Sequence, residues 1–313
     1  VTLVNLTADN LKFNLKLKDG TIEITCNCTP NEEEPVGEQG TKILFVQYDN
    51  EKEHYHSIYI ADSDGSNVKK IFTPEQYQFI YNLAYASKES KIVLTLPNEV
   101  GNKDDNNIYT VSLTGENLQN LGITGEEVAV SRDGKYIAYT RGNNIYTCTI
   151  TGKEEKKLTN YSATEDLWAI SPTWSADSKS IVYVTSFEDE STALNIINAD
   201  GTNPKVLIAN NGEEYIYDPQ ISPDGKYICY DSDNSIAICD IDGKNEKTII
   251  KGDSGKDIYT ESPKWMPDCK SILFLYGSGK GEANLAKINI DGTGFIKYDL
   301  KMWGIFCPIS VKK

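Results

Sequence analysis

Aromatic and acidic residues interleave at several places in this chain, and those residue types suit ligand binding. Trp168, Tyr217, Tyr259 and Trp303, and likewise Glu127, Asp218 and Glu261, hold comparable places in segments that share one layout. Aromatic faces take sugar rings or cations, and carboxylates take sugar hydroxyls or basic side chains. The plainer reading of such aromatics is packing between structural units. The only histidines, His54 and His56, are spaced so that a strand would point both the same way. With Asp49, Glu51 or Glu53 nearby they could hold a zinc-like divalent ion, although a charged loop of this kind is ordinarily just solvated. No other cofactor is indicated.

Other motif echoes are weaker. Gly252-Asp253-Ser254-Gly255 has the letters of a serine-protease nucleophile, but no histidine follows it in a matching context. Gly277-Ser278-Gly279-Lys280-Gly281 lacks the spacing of a phosphate-binding loop and reads as a connection. Asp62-x-Asp64-Gly65 and Asp240-x-Asp242-Gly243 lack the closing bidentate acid of a calcium loop. They read as hairpin turns.

The elements that must position the aromatic and acidic residues are copies of one unit. Ser222-Pro223-Asp224-Gly225-Lys226 is followed by the apolar run Tyr227–Tyr230, then by Ile236–Ile241 and Asp242-Gly243. Asp-Gly accepts the positive φ of tight turns, and the runs between are β-branched and aromatic, as strands prefer. The first turn recurs at Ser131, Ser175 and Met266, and in weaker form at Glu38 and Ser87. The second turn recurs at Gly65, Gly115, Gly152, Gly201, Gly243 and Gly292, with a period of about 45 residues. Six copies of that length match the blades of a propeller.

The first copy starts at its second strand, near Lys42, whereas Trp303–Ile309 at the far end resembles the strand Leu167–Thr173. The expected fold is therefore all-β, a closed six-bladed propeller of four-stranded blades whose ring is closed by the C-terminal strand. Closure also hides sheet edges. Ahead of it, Leu11, Phe13, Leu15 and Leu17 alternate with polar residues, and Thr21–Cys26 returns after Asp19-Gly20, which predicts an N-terminal hairpin. Residues 1–36 are assigned to that hairpin and an acidic linker, and 37–313 to the propeller.

Two segments carry a family resemblance. Pro172-Thr173-Trp174-Ser175-Ala176-Asp177 and Ile58-Tyr59-Ile60-Ala61-Asp62-Ser63-Asp64-Gly65-Ser66-Asn67 resemble the TolB-like six-bladed β-propeller repeat. The resemblance covers roughly residues 38–313 and implies the fold. It leaves activity open, since one propeller hosts many functions.

Composition narrows the partners. Lys plus Arg is 31 against Asp plus Glu 46, a net charge of −15, which repels phosphate backbones and disfavours nucleic acid. No apolar run approaches the ~20 residues of a membrane-spanning helix. The chain begins at Val1 with no charged-then-apolar leader, and is read as the mature form of an exported protein, placed in the periplasm, at the cell surface or outside the cell. The seven cysteines are expected to be mostly free thiols: Cys148 and Cys239 occupy matching core positions, while Cys26 and Cys28 share one strand face.

The first functional reading is a monomeric, non-catalytic binding or scaffold protein that recognises a protein, peptide or glycan at the loop-bearing mouth of the propeller channel. Its expected contacts are Trp168, Tyr217, Asp218, Tyr259, Glu261, Trp303 and Glu127. The alternative is a carbohydrate-active enzyme, a lyase or glycoside hydrolase, working with carboxylates at that mouth.

Overall fold

In three of the units the first turn is Ser-x-Asp and closes on its own side chains. Ser131 Oγ donates to Asp133 Oδ1 at 2.7 Å, and the Tyr136 N–H donates to Ser131 Oγ at 2.9 Å. Ser175 with Asp177 and Ser222 with Asp224 repeat the contact at 2.6 and 2.7 Å. The fourth residue of each turn is left-handed: Gly134 at φ 76° and Gly225 at 75°, but also Ser178 at 59° and Cys269 at 57°. Glycine takes that conformation freely, and the other two accept strain for it.

The computed structural model describes residues 13–18, 21–26, 41–49, 55–75, 79–97, 106–162, 164, 166–209, 215–256, 258–278, 283–302 and 306–310. Two compact units make up the chain, Val1–Gln39 and Gly40–Lys313. In the first, β1 (Phe13–Lys18) and β2 (Thr21–Cys26) pair antiparallel from Phe13↔Cys26 to Lys18↔Thr21.

The described strands of the second unit form six antiparallel four-stranded sheets. Blade one contains β3 (Thr41–Tyr48), β4 (His56–Asp62) and β5 (Lys69–Phe72). Blade two is β6 (Asn82–Ala86), β7 (Lys91–Pro97), β8 (Asn106–Ser112) and β9 (Gln119–Thr124). Blade three is β10 (Val128–Val130), β11 (Tyr136–Arg141), β12 (Asn144–Thr149) and the short β13 (Lys156–Lys157). Blade four is β14 (Leu167–Trp174), β15 (Ser180–Phe187), β16 (Thr192–Asn198) and β17 (Lys205–Ala209). Blade five is β18 (Ile216–Ile221), β19 (Tyr227–Ser232), β20 (Ser235–Asp240) and β21 (Lys247–Lys251). Blade six is β22 (Ile258–Trp265), β23 (Ser271–Ser278), β24 (Ala283–Asn289) and β25 (Ile296–Met302). The fourth strand of blade one's sheet is β26 (Phe306–Ser310), which pairs with β3 from Phe306↔Phe45 to Ser310↔Thr41.

Apolar packing lies between the blades, because each sheet buries both faces. Val184 and Leu194 of blade four meet Ile228 and Tyr230 of blade five, and Ile236 and Ile238 of blade five meet Ile272 and Phe274 of blade six. Leu273, Leu275 and Leu285 of blade six pack on Ile43 and Phe45 of blade one, so the succession of blades returns on itself as a ring. Tryptophans clip some of these junctions. Trp174 Nε1 donates to the Ala129 carbonyl at 3.2 Å while its ring stacks on Tyr136. Trp265 repeats both contacts between blades six and five, donating to the Gln220 carbonyl at 2.8 Å and stacking on Tyr227.

Cys148, Cys229, Cys239 and Cys269 are free thiols. Cys239 stands opposite Ile228 and Cys229 opposite Ile238, so the two point to opposite faces of blade five and cannot bridge. Cys28 and the side chain of Cys26 lie outside the described residues. Among the described residues no helix is long and apolar enough to cross a membrane.

Candidate functional site

The inner strands of blades four, five and six share an irregularity that sets the site. Ser171, Asp218 and Ser262 each precede a proline and each adopt a left-handed backbone, with φ of 51°, 47° and 55°. A residue before proline is normally held to extended conformations, so the same departure in three blades marks a built feature. It coincides with a shift of register between the inner strand and its neighbour, at Ile170/Thr173, Tyr217/Gln220 and Glu261/Lys264. Bulges of this kind re-aim side chains out of the regular pleat.

The re-aimed residues link successive blades through carboxylates. The Ser171 N–H donates to Glu127 Oε2, reaching from blade four to the segment before β10. Ser262 Oγ donates to Asp218 Oδ2 at 3.2 Å, and the Ser262 N–H serves Asp231 on β19. Glu127, Ser171, Asp218 and Lys264 line a cavity of about 480 Å³ together with Asn82 and Arg132, drawn from the inner strands of blades two to six and from adjoining turns. A second concavity, of about 370 Å³, lies between blades four, five and six. Tyr215, Tyr217 and Tyr259 supply its rings, and Glu190, Asp231, Asp233 and Glu261 its acids.

Crowding of carboxylates sets the electrostatics. Burial pushes the Glu127 carboxyl up to about 7, against the pull of the Ser171 N–H, and the charges of Asp218 and Glu126 push the same way as burial. Burial, then Asp218 and Glu261, push Asp231 up to about 8, with the Ser262 N–H and Lys264 opposing. Glu261 is raised by burial and next by Asp218. Asp218 is thus the charge that the other three acids feel in common. At neutral pH Glu127 and Asp231 hold protons that ordinary surface carboxylates would have lost.

Glycine and asparagine fix the rings. Tyr259 faces Gly277 across the strand pair, and a Cβ on that glycine would fall 2.0 Å from the tyrosine Cζ. The ring therefore lies in the space a side chain would take. Asn234 holds the strand below it, donating to the Ile258 carbonyl at 2.9 Å and accepting the Thr260 N–H at 3.1 Å. Gly277→Ala is expected to swing the Tyr259 ring off its seat while costing only about 1 kcal/mol of stability, because the far end of a side chain gives way more easily than backbone. A crystal structure of the variant with Tyr259 unmoved would contradict this.

Of the residues expected from sequence, Glu127 and Asp218 meet in the larger cavity, and Tyr217, Tyr259 and Glu261 in the smaller one. Trp168, on β14, is 38 % exposed and lines neither. Trp303 and His54 lie outside the described residues. His56 sits edge-on to Tyr48 and Phe79, and its Nδ1 lies 3.3 Å from the Ile80 N–H. Burial lowers its pKa, with the Ile80 backbone acting the other way. Among the described residues no three His, Cys, Asp or Glu side chains converge as a metal site. Sequence reasoning missed Asp231 and Lys264. Asp231 directly follows the apolar run of β19, and Lys264 sits between Pro263 and Trp265. A charge embedded in a run otherwise destined for burial was the available signal.

Among curated proteins, none matches the sequence. TolB from Acinetobacter baumannii is 18 % identical with a TM-score of 0.64, over 85 % of this chain and 66 % of that one. The chain therefore spans just under two thirds of that TolB. A chain of the nidogen/laminin complex is 12 % identical with a TM-score of 0.64, over 87 % of this chain and 99 % of that one. Oligogalacturonate lyase in complex with manganese is 12 % identical with a TM-score of 0.55, over 82 % of this chain and 73 % of that one. At these identities the likeness is one of fold. The sequence itself matches the TolB beta propeller domain over residues 36–302. With that match spanning most of its length, the chain belongs to the TolB β-propeller family.

Proposed function

We propose that this propeller is a non-catalytic binding module that receives a protein or peptide at the tyrosine-lined groove between blades four, five and six, beside the channel. The observation that carries the reading is the groove's make-up: three tyrosines and four acids around one concavity, on strands locked by Asn234 and by the bulges. Ring faces and charge-assisted acceptors on rigid strands are what recognition of a peptide side chain requires. The fold neighbours support it, since one of them is seen in a complex with another protein. An extracellular, periplasmic or cell-surface location belongs to the same reading and is supported by the family match.

A glycan-processing role is the second reading. It is favoured by Glu127 and Asp231, whose raised pKa values suit proton donation near neutral pH, and by the likeness to oligogalacturonate lyase. Peptide and glycan arrays probed with the wild type and with Tyr217→Ala test both. Peptide signals lost in the variant support the first reading. Oligosaccharide cleavage by the wild type, seen as new reducing ends, supports the second. Signals equal in both proteins would remove the groove from either account.

A further inference from the structure

The two concavities differ in charge. Glu127 and Asp218 share the larger cavity with Arg132 and Lys264, so its acids have basic counterparts. The smaller groove has Glu190, Asp231, Asp233 and Glu261, and no basic side chain among the described residues that line it. A second observation is independent of these acids. Thr260, also on the groove wall, is 1 % exposed, and its Oγ1 has no hydrogen-bond partner among the described residues. Buried hydroxyls are normally paired, so this one keeps hydrogen-bonding capacity unused, as acceptor and as donor.

We propose that the groove is a site for an organic cation, a guanidinium or alkylammonium group carried by a basic peptide side chain. This rests on the binding-module reading and gives the ligand its chemistry. Carboxylates and the Thr260 hydroxyl accept N–H donors, and the faces of Tyr215, Tyr217 and Tyr259 attract a poorly hydrated cation. A guanidinium suits such walls better than a compact metal ion, because it is planar, stacks on rings and presents several donors. The groove's size falls at the small end of ligand pockets, suited to one side chain and its neighbouring backbone.

The cation is coupled to protons. The charged and titratable groups facing Asp231 are Asp218 and Tyr217 on β18, and Glu261 and Lys264 on β22. Its partner on β20 is the apolar Ile236, and Tyr217 is its partner on β18. In the free protein burial, and after it the crowding by Asp218 and Glu261, keep a proton on Asp231 near neutrality. A bound cation replaces the charge that proton supplied, so the proton leaves. Affinity therefore rises as pH climbs from about 6 to about 9, and binding near neutrality releases protons.

Calorimetric titration tests this with three probes: acetyl-Gly-Arg-Gly-amide, its citrulline counterpart and butylguanidinium. Citrulline keeps the shape and removes the charge, and is expected to bind at least about tenfold more weakly. Glu261→Gln and Tyr217→Ala should each weaken the arginine probe by about tenfold while far-UV dichroism shows the fold intact. Heats measured in phosphate and in Tris should differ by the ionisation of the released proton. Butylguanidinium matching the arginine peptide would support a free cation as the source of the group, and weaker binding would support a peptide. Equal affinity for arginine and citrulline, or wild-type affinity in both variants, would overturn the proposal. If array signals still depend on Tyr217 while arginine and citrulline tie, the cation assignment falls and the binding-module reading stands.

Discussion

Asp231→Asn is expected to raise the melting temperature by about 5 °C at pH 8.5, and by much less at pH 5. The carboxyl is held at about 8 in the folded chain, and returns to roughly 4 when the chain unfolds. Below pH ~4 both states hold the proton and the site costs nothing. Between ~4 and ~8 the folded state keeps a proton that the unfolded state would release, so stability drains away as pH rises, and the full cost stands above ~8. Each unit of displacement corresponds to about 1.4 kcal/mol. Sharing of the charge with Asp218 and Glu261, and access of water through the groove, cut the net effect to about 2 kcal/mol. Asparagine keeps the acceptor for the Ser262 N–H and removes the ionisation. Thermal melts of both proteins across pH decide it: an equal shift at pH 5 and pH 8.5 would mean that ionisation is not the cause.

The second large effect concerns the strand shared between the two ends of the propeller. Deleting residues 306–313 is expected to lower the melting temperature by about 10 °C or more. Removal of β26 strips the partner from β3, whose Ile43, Leu44 and Phe45 are fully buried. An unpaired edge carrying that much apolar surface also invites association, so light scattering should rise with concentration. A variant that melts with the wild type and stays monodisperse would mean the pairing contributes little.

The repeat was legible in the sequence because its turns leave chemical traces. Ser-x-Asp supplies the side-chain acceptors seen at Ser131, Ser175 and Ser222, and the position after Asp must be left-handed, which is why Gly134 and Gly225 stood out. Once the period was known, strands such as β7, β15 and β23 followed from their apolar runs. The candidate site was only half legible. Tyr217, Tyr259 and Glu261 could be grouped because they hold comparable places in two adjoining copies. Asp231 could not, because it belongs to the second strand, and only the bulge at Asp218 and the packing of blade five on blade six bring it into the same electrostatic field. Alternation along a strand says which face a residue takes, but not that a positive φ before proline has turned its neighbour inward. The orphaned Thr260 hydroxyl has no sequence signal at all, since pairing is a property of the assembled walls.

The pairing of β26 with β3 has a mechanical consequence. Thr41 and Ser310 are partners at one end of an antiparallel pair. Tension applied between those two residues pulls at a single rung, and the pair opens rung by rung like a zip. Strands pulled lengthwise past each other would instead load every rung together and yield at much higher force. The ring therefore has a soft direction set by register. A tug between Thr41 and Ser310 opens blade one at low force, whereas a pull directed across the blades meets the tryptophan clips at Trp174 and Trp265.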